Sequence, residues 1–265
     1  MVKINIFLSL VCISILFFVG SAEAQSIPLP SSPADAVLAK AIKYLGGDKY
    51  LNAKTQISEG TFSVIREKRV ISYQTFTDAI VFPDTQRTDF KGGGVKVVQA
   101  NKGDSGWVYD GDQEIIKDQT KTQLDNFRRG LRVSLDNLLR GGWKGEAKLT
   151  YVGKRPSTLG KRNEVVKLTY NDDLSIEFEF SADDGIPQKS IYKTTNDSGE
   201  ENTETEIYAQ WVTVDGIKTP FIIDRRTNNE PSSRINYDSV KFNEKVPDSN
   251  FDKPESKKQL RSLKF

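Results

Sequence analysis

Tight-turn signals limit this chain more than any other feature. Gly92-Gly93-Gly94, Asp110-Gly111, Asn171-Asp172-Asp173, Asp183-Asp184-Gly185 and Asp215-Gly216 punctuate it, and the stretches between them are short and rich in alternating apolar residues. Such spacing suits hairpins and leaves no room for the crossover helices that parallel strands need. Strands are expected near residues 56–66, 70–82, 87–90, 95–100, 106–109 and 114–116. A second set follows near 148–154, 164–170, 174–180, 188–194, 204–214, 217–226 and 234–242. The expected class is therefore mainly β (α+β), an antiparallel meander. Pro220 marks a sheet edge or bulge. In 204–214, Ile207, Ala209 and Trp211 fall on one face and Tyr208, Val212 and Val214 on the other, so this strand is covered on both faces or lines something apolar.

Two segments carry helical spacing instead. Ser32 as N-cap, Pro33 at the first position and Asp35 in the first turn start a short helix, and Gly46-Gly47 stops it. The second segment, residues 125–142, interrupts the strands. Leu124, Phe127, Leu131, Leu135 and Leu138 share one face, and Gly141-Gly142 ends the run. A helix of this kind either packs on a sheet to build a core or lies as a lid across the mouth of an open barrel. In the second case Gly130 is a soft point, and Arg128, at the edge of the apolar stripe, is a latch to sheet carbonyls. In the first case the Arg128 stem runs along apolar surface.

Residues 1–24 read as an export signal: Lys3, an apolar run and Ala22-Glu23-Ala24, with cleavage expected after Ala24. Residue Val11, before Cys12, is not small, so no lipidation site is expected. Removing the signal leaves roughly 240 residues, the size of one β domain. Residues 25–33 read as a Pro/Ser-rich spacer, 34–253 as a single domain and 254–265 as a charged, frayed tail. The remainder has no cysteine, which fits a bacterial periplasm.

The chain has no histidine. Ser-His-Asp and Cys-His catalysis and the ordinary zinc, copper and iron sites are thereby excluded. A net charge of +2 without a concentrated basic footprint argues against nucleic acid as a partner. Asp172-Asp173 and Asp183-Asp184 sit in turns, where Asp is favoured for backbone reasons, and form no carboxylate pair for glycoside hydrolysis. No catalytic residue, metal site or cofactor is expected, and the protein is not expected to be an enzyme.

The order of these elements, with VYDG at residues 108–111, DGIKTP at 215–220 and VKFNEKVPDSNF at 240–251, resembles the LolA-like outer-membrane lipoprotein-sorting proteins. The resemblance implies an unclosed antiparallel barrel of about eleven strands with helices plugging its opening. It implies a soluble, monomeric periplasmic carrier that takes acyl chains of lipoproteins, or other lipid, from an inner-membrane donor to an outer-membrane acceptor. Leu124, Phe127, Leu131, Leu135, Leu138, Trp107, Trp211 and Phe178 are then candidates for cavity and lid. The family's carriers hold the lid shut with a strand arginine, for which Arg87 is the candidate, beside Arg128 on the lid itself. The alternative is a non-catalytic sensory or scaffolding module of the cell envelope that binds protein through a sheet edge or its concave face.

Overall fold

The structure is a computed structural model and describes residues 31–195 and 198–262. The expected signal segment and most of the expected spacer lie outside the described residues.

Helix α1 (Pro33–Leu45) begins and ends as its sequence dictates. The Ser32 hydroxyl accepts from the Asp35 amide, and the Gly47 amide donates back to Ile42. Gly46 has φ +123, and a Cβ there would lie 2.4 Å from the Gly216 carbonyl oxygen, so only glycine lets the two turns approach. A short helix α2 (Asp48–Asn52) follows, which the turn signals had hidden. Next come β1 (Thr55–Arg66), β2 (Arg69–Val81), β3 (Thr85–Gly92), β4 (Val95–Lys102), β5 (Ser105–Asp110) and β6 (Ile115–Asp118). Helices α3 (Lys121–Val133) and α4 (Leu135–Arg140) occupy the middle of the chain. The second set of strands is β7 (Ala147–Pro156), β8 (Arg162–Tyr170), β9 (Ser175–Ser181), β10 (Pro187–Thr195), β11 (Glu201–Val214), β12 (Ile217–Thr227) and β13 (Glu230–Phe242). Helix α5 (Lys257–Ser262) is the last element among the described residues.

All of these strands form one antiparallel sheet in the order β6-β5-β4-β3-β2-β1-β13-β12-β11-β10-β9-β8-β7. Two meanders thus meet along β1 and β13, and the strands among the described residues number thirteen, as the sequence segments do, where the family resemblance implied about eleven. Strands β6 and β7 are the two edges and do not pair, so the barrel stays open. Bulges bend the sheet. At the one between Glu59 and Gly60, a Cβ on Gly60 would lie 2.1 Å from the Asn236 carbonyl oxygen. Gln210 on β11 interrupts the alternation in another way: its backbone is left-handed (φ +51) while the register against β12 holds from Ala209–Ile222 to Trp211–Pro220. Tyr208 and Trp211 share a face, their rings 6.4 Å apart. The strict alternation expected for that strand, which set them on opposite faces, does not hold. Pro220 pairs with Trp211 on β11, beyond the last residue of β12 that pairs with β13.

The topology explains the central helices. Consecutive in sequence, β6 and β7 lie at opposite edges of the sheet, so the segment joining them has to cross the opening. One continuous helix was expected there. Ser134 breaks it: the residue is extended (φ −72, ψ 150), and its hydroxyl accepts from the Asn137 amide as N-cap of α4.

The inner face is filled at one end only. Val37, Leu38, Ala41 and Leu45 of α1 join Leu138 and Leu139 of α4 over Val166, Leu168, Ile176, Phe178 and Phe180. On the outer face a smaller cluster unites Val98, Ala100 and Trp107 with Leu260 of α5. The tail is therefore not frayed along its length. Leu260 is 3% exposed because it supplies the apolar cover that the outer face of β4 and β5 requires.

Candidate functional site

Beyond the packed end, the inner face encloses a hollow. One lobe, of about 530 Å³, lies beneath Phe127, Gly130 and Leu131 of α3 and is floored by Ile80, Phe82 and Gln86. A second, of about 250 Å³, lies between Leu135, Tyr208, Trp211 and Ile223. A third, of about 220 Å³, is walled by Phe62, Phe76, Phe90, Ile235 and Tyr237. The main lobe alone is the size of an ordinary small-molecule site, ~300–1,000 Å³. One side chain, Arg225 on β12, lines all three lobes.

The cover is not a core helix. Although α3 is strongly amphipathic, Val133 is its only fully buried residue; Leu124, Phe127 and Leu131 are half-buried. An apolar stripe that packs on a sheet loses nearly all contact with water. This one faces space, held by two arginines of its C-terminal half. Arg128 donates from Nε and Nη2 to Asp104, in the turn between β4 and β5, at 3.2 and 2.9 Å. One helical turn further on, Arg132 donates two bonds to Asp172, in the turn between β8 and β9, and stacks 4.0 Å over Tyr170. The pairs therefore tie α3 to opposite halves of the open sheet. Helix α4 is seated more firmly. Arg140 pairs with Asp136, donates to the carbonyls of Leu51 and Ala53, and stacks on Phe82 at 3.9 Å.

The sequence candidates divide accordingly. Phe127 and Leu131 line the main lobe, and Leu135 and Trp211 the second. Leu124 is on the α3 stripe but lines none of the lobes. Leu138 and Phe178 are on the inner face, but both are sealed in the packed end, at 1% and 0% exposure. Trp107 is on the wrong side of the sheet. It belongs to the outer cluster, where its Nε1 donates to the Phe251 carbonyl. Arg87 is opposite Ala100 on the same outer face, while its neighbour Gln86 turns inward. Its guanidinium binds Asp89 and the Asn250 carbonyl, so it fastens the C-terminal segment and holds no lid. Arg128 does tie down the cover, but its partner is the Asp104 carboxylate and not a sheet carbonyl.

Polar groups inside the hollow escaped the sequence reading. Arg225 donates from Nε to Glu206 at 2.8 Å, and the Glu206 charge raises its pKa. Burial pushes the Asp78 carboxyl up to about 6, against the opposing hydrogen bonds from Thr88 and Gln86. Burial likewise raises the phenols of Tyr237, Tyr208 and Tyr192, the last to about 12. Nothing in the local sequence marks these residues. Glu206 and Arg225 meet because Ser190, Glu206, Arg225 and Ser233 fall in one cross-strand row.

No protein-family model matches the sequence, and no curated protein sequence matches it. Solved structures do match in shape. One is a DUF1329 family protein from Desulfovibrio piger, at TM-score 0.59 and 14% identity, covering 84% of this chain and 98% of that one. Another is a LolA superfamily protein from Nitrosomonas europaea, at TM-score 0.58 and 14% identity, covering 83% of this chain and 97% of that one. These likenesses establish the fold: the chain is an open, curved antiparallel sheet of the LolA-like type.

Proposed function

We propose that the protein is a carrier that holds the acyl chains of a lipoprotein or another lipid in the hollow beneath α3, without chemical change, in the bacterial periplasm. A single observation supports this reading most: the half-buried apolar stripe of Phe127 and Leu131 over an unfilled lobe of about 530 Å³. An acyl chain placed there completes the burial of that stripe, and each buried methylene contributes about 0.8 kcal/mol. Affinity then needs no catalytic or metal group. Release needs only that α3 move, and its two pairs are on the surface, where such bonds contribute ~0–1 kcal/mol each. An inner-membrane donor and an outer-membrane acceptor belong to the same proposal.

Mass spectrometry of an organic extract of the natively purified chain tests the cargo. An amphiphile with at least one long acyl chain, at a constant ratio to protein, is expected. A delipidated chain that takes up no acyl probe in solution would overturn the reading.

A further inference from the structure

The first hairpin carries its apolar side chains on the outside. Strand β1 is paired with β13 only as far as Val64, and β2 with β3 only from Thr75 onward. Residues 65–70 therefore project beyond the sheet as a two-stranded arm. Glu67 and Lys68, with φ +49 and +61, close it with the tight turn that two left-handed residues make. The register skips Ile71: Val64 is opposite Ser72, and Ile65 is opposite Val70. Phe62 faces the hollow, so Ser63 and Ile65, with their partners Tyr73 and Val70, face outward. Val70, Ile71 and Tyr73 are 61%, 54% and 59% exposed, the three most exposed large hydrophobic side chains among the described residues. They fall within four consecutive positions, so they form one patch that water covers at a cost.

The charges around the patch select its occupant. Lys96 and Arg234, on the same outer face, pair with Asp89 and Asp224. Arg66, Lys68 and Arg69 at the tip, and Lys91 on β3, pair with no carboxylate among the described residues. Glu67 is the one acid within the arm, so three cations against one acid leave it a net charge of +2. A second copy of the chain would set like charges against each other. An added strand is disfavoured as well, because the bulge at Ile71 breaks the row of edge amides that such a strand would need. A lipid surface with anionic headgroups meets the patch and the charges together. Apolar side chains enter the acyl boundary, an aromatic hydroxyl stays at headgroup depth, and the cations reach the phosphates. We propose that the arm docks the protein directly on an anionic bilayer, with Val70, Ile71 and Tyr73 inserted and Arg66, Lys68, Arg69 and Lys91 on the headgroups. Docking sets the root of the arm, where Phe62 walls the third lobe, towards the bilayer. The inference does not rest on the carrier reading; it adds a membrane contact made by the chain itself.

Flotation of the natively purified chain with lipid vesicles tests the proposal. Vesicles of phosphatidylcholine and phosphatidylglycerol in equal parts are expected to carry the chain up the gradient, and vesicles of phosphatidylcholine alone to carry much less. Val70→Ser, Ile71→Ser and Tyr73→Ser combined are expected to weaken binding about tenfold or more. Lys68→Gln and Arg69→Gln combined are expected to weaken binding to the mixed vesicles by roughly fivefold for each cation. All five side chains are exposed and outside the hollow, so the variants are expected to fold and to take up an acyl probe in solution as the wild type does. A second measurement reads insertion directly: a nitrobenzoxadiazole label on Ile71→Cys, whose emission is expected to move to the blue on the mixed vesicles. Failure of the wild type to float with the mixed vesicles, flotation unmoved by both combined variants, or an unshifted label on bound chain overturns the docking assignment and leaves the carrier reading intact. So does a concentration-dependent dimer that the serine variant abolishes in the absence of any vesicle binding, which would make a second copy the occupant. A wild-type chain that floats through the arm but takes up no acyl probe keeps the docking and overturns the carrier reading.

Discussion

Arg132 of α3 and Asp172 of the turn between β8 and β9 meet through two parallel hydrogen bonds, at 2.7 and 2.8 Å. Together with Arg128 and Asp104 one turn earlier, this pair determines where the cover rests: across a gap that the sheet cannot close, since its edges β6 and β7 never pair. The Arg132 contact holds the Asp172 carboxyl down at about 2, below the ordinary 3.8. A carboxyl whose folded value is depressed contributes stability that is present above the unfolded value and is lost as pH falls through about 2. The latch is thus fully charged at neutral pH. Asp172→Asn is expected to lower global stability by less than ~1 kcal/mol, because the pair is exposed. It should nevertheless speed hydrogen exchange of the α3 amides selectively. Exchange that rises equally in α1 and α3 would contradict the latch assignment.

Phe127→Asp and Leu131→Asp place a carboxylate on the half-buried underside of the cover. Neither residue is part of the packed end of the sheet, so the melting temperature is expected to stay within a few degrees of wild type. Binding of an acyl probe should fall by roughly tenfold or more, since a charge would have to be desolvated against the chain. Fluorescence titration of the two variants checks this, and unaltered affinity in a folded variant would remove α3 from the site.

Asp78 gives the protein a pH dependence of opposite sign. Its folded pKa of about 6 is above the ordinary value of 3.8, because burial disfavours the anion. The folded state therefore binds more protons than the unfolded state between those values, and stability falls as pH rises through about 6. A two-unit shift corresponds to ~3 kcal/mol at most. Asp78→Asn keeps an acceptor for Gln86 and Thr88 and removes the charge. It is expected to raise stability above pH ~7 and to flatten the profile between pH ~4 and ~7. Urea unfolding as a function of pH provides the measurement; a profile as steep in the variant as in the wild type would show that Asp78 is not the group responsible.

Leu260→Ala tests the outer cluster. It removes the side chain that α5 buries against Val98, Ala100 and Trp107, and should cost about 2–4 kcal/mol. It should also shift Trp107 emission to the red. Acyl-probe binding is expected to be unaffected, because this cluster is on the face away from the hollow. A loss of binding that tracks the red shift would place Trp107 in the site after all.

The elements with local causes were legible in the sequence. Ser32-Pro33 and Gly46-Gly47 bound α1, and all thirteen strands fall where turn residues and alternation place them. The apolar stripe of α3 was legible too, since its period of 3.6 residues is a local property. Side-chain facing was less so. A single left-handed residue, Gln210, brings Trp211 onto the face of Tyr208, and no residue type announces it. Trp107 was a candidate for the cavity and Arg87 for the lid latch, because aromatic and basic residues in strands suit either face; a C-terminal segment more than a hundred residues away claims them. Arg140 stacks on Phe82 and donates to the carbonyls of residues 51 and 53, which only the folded chain brings near. The Arg225–Glu206 pair belongs to the same category: it depends on the register of β11 against β12.

The central claim is positional: cargo lies on the inner face, against Trp211 and beneath α3, and not on the outer face against Trp107. Quenching by a brominated acyl ester in two single-tryptophan chains tests it most directly. One chain keeps Trp211 and the other Trp107, with the remaining tryptophans replaced by phenylalanine. Saturable quenching of Trp211 with little effect on Trp107 is the expected result. Equal quenching of both, or quenching of Trp107 alone, would contradict the account.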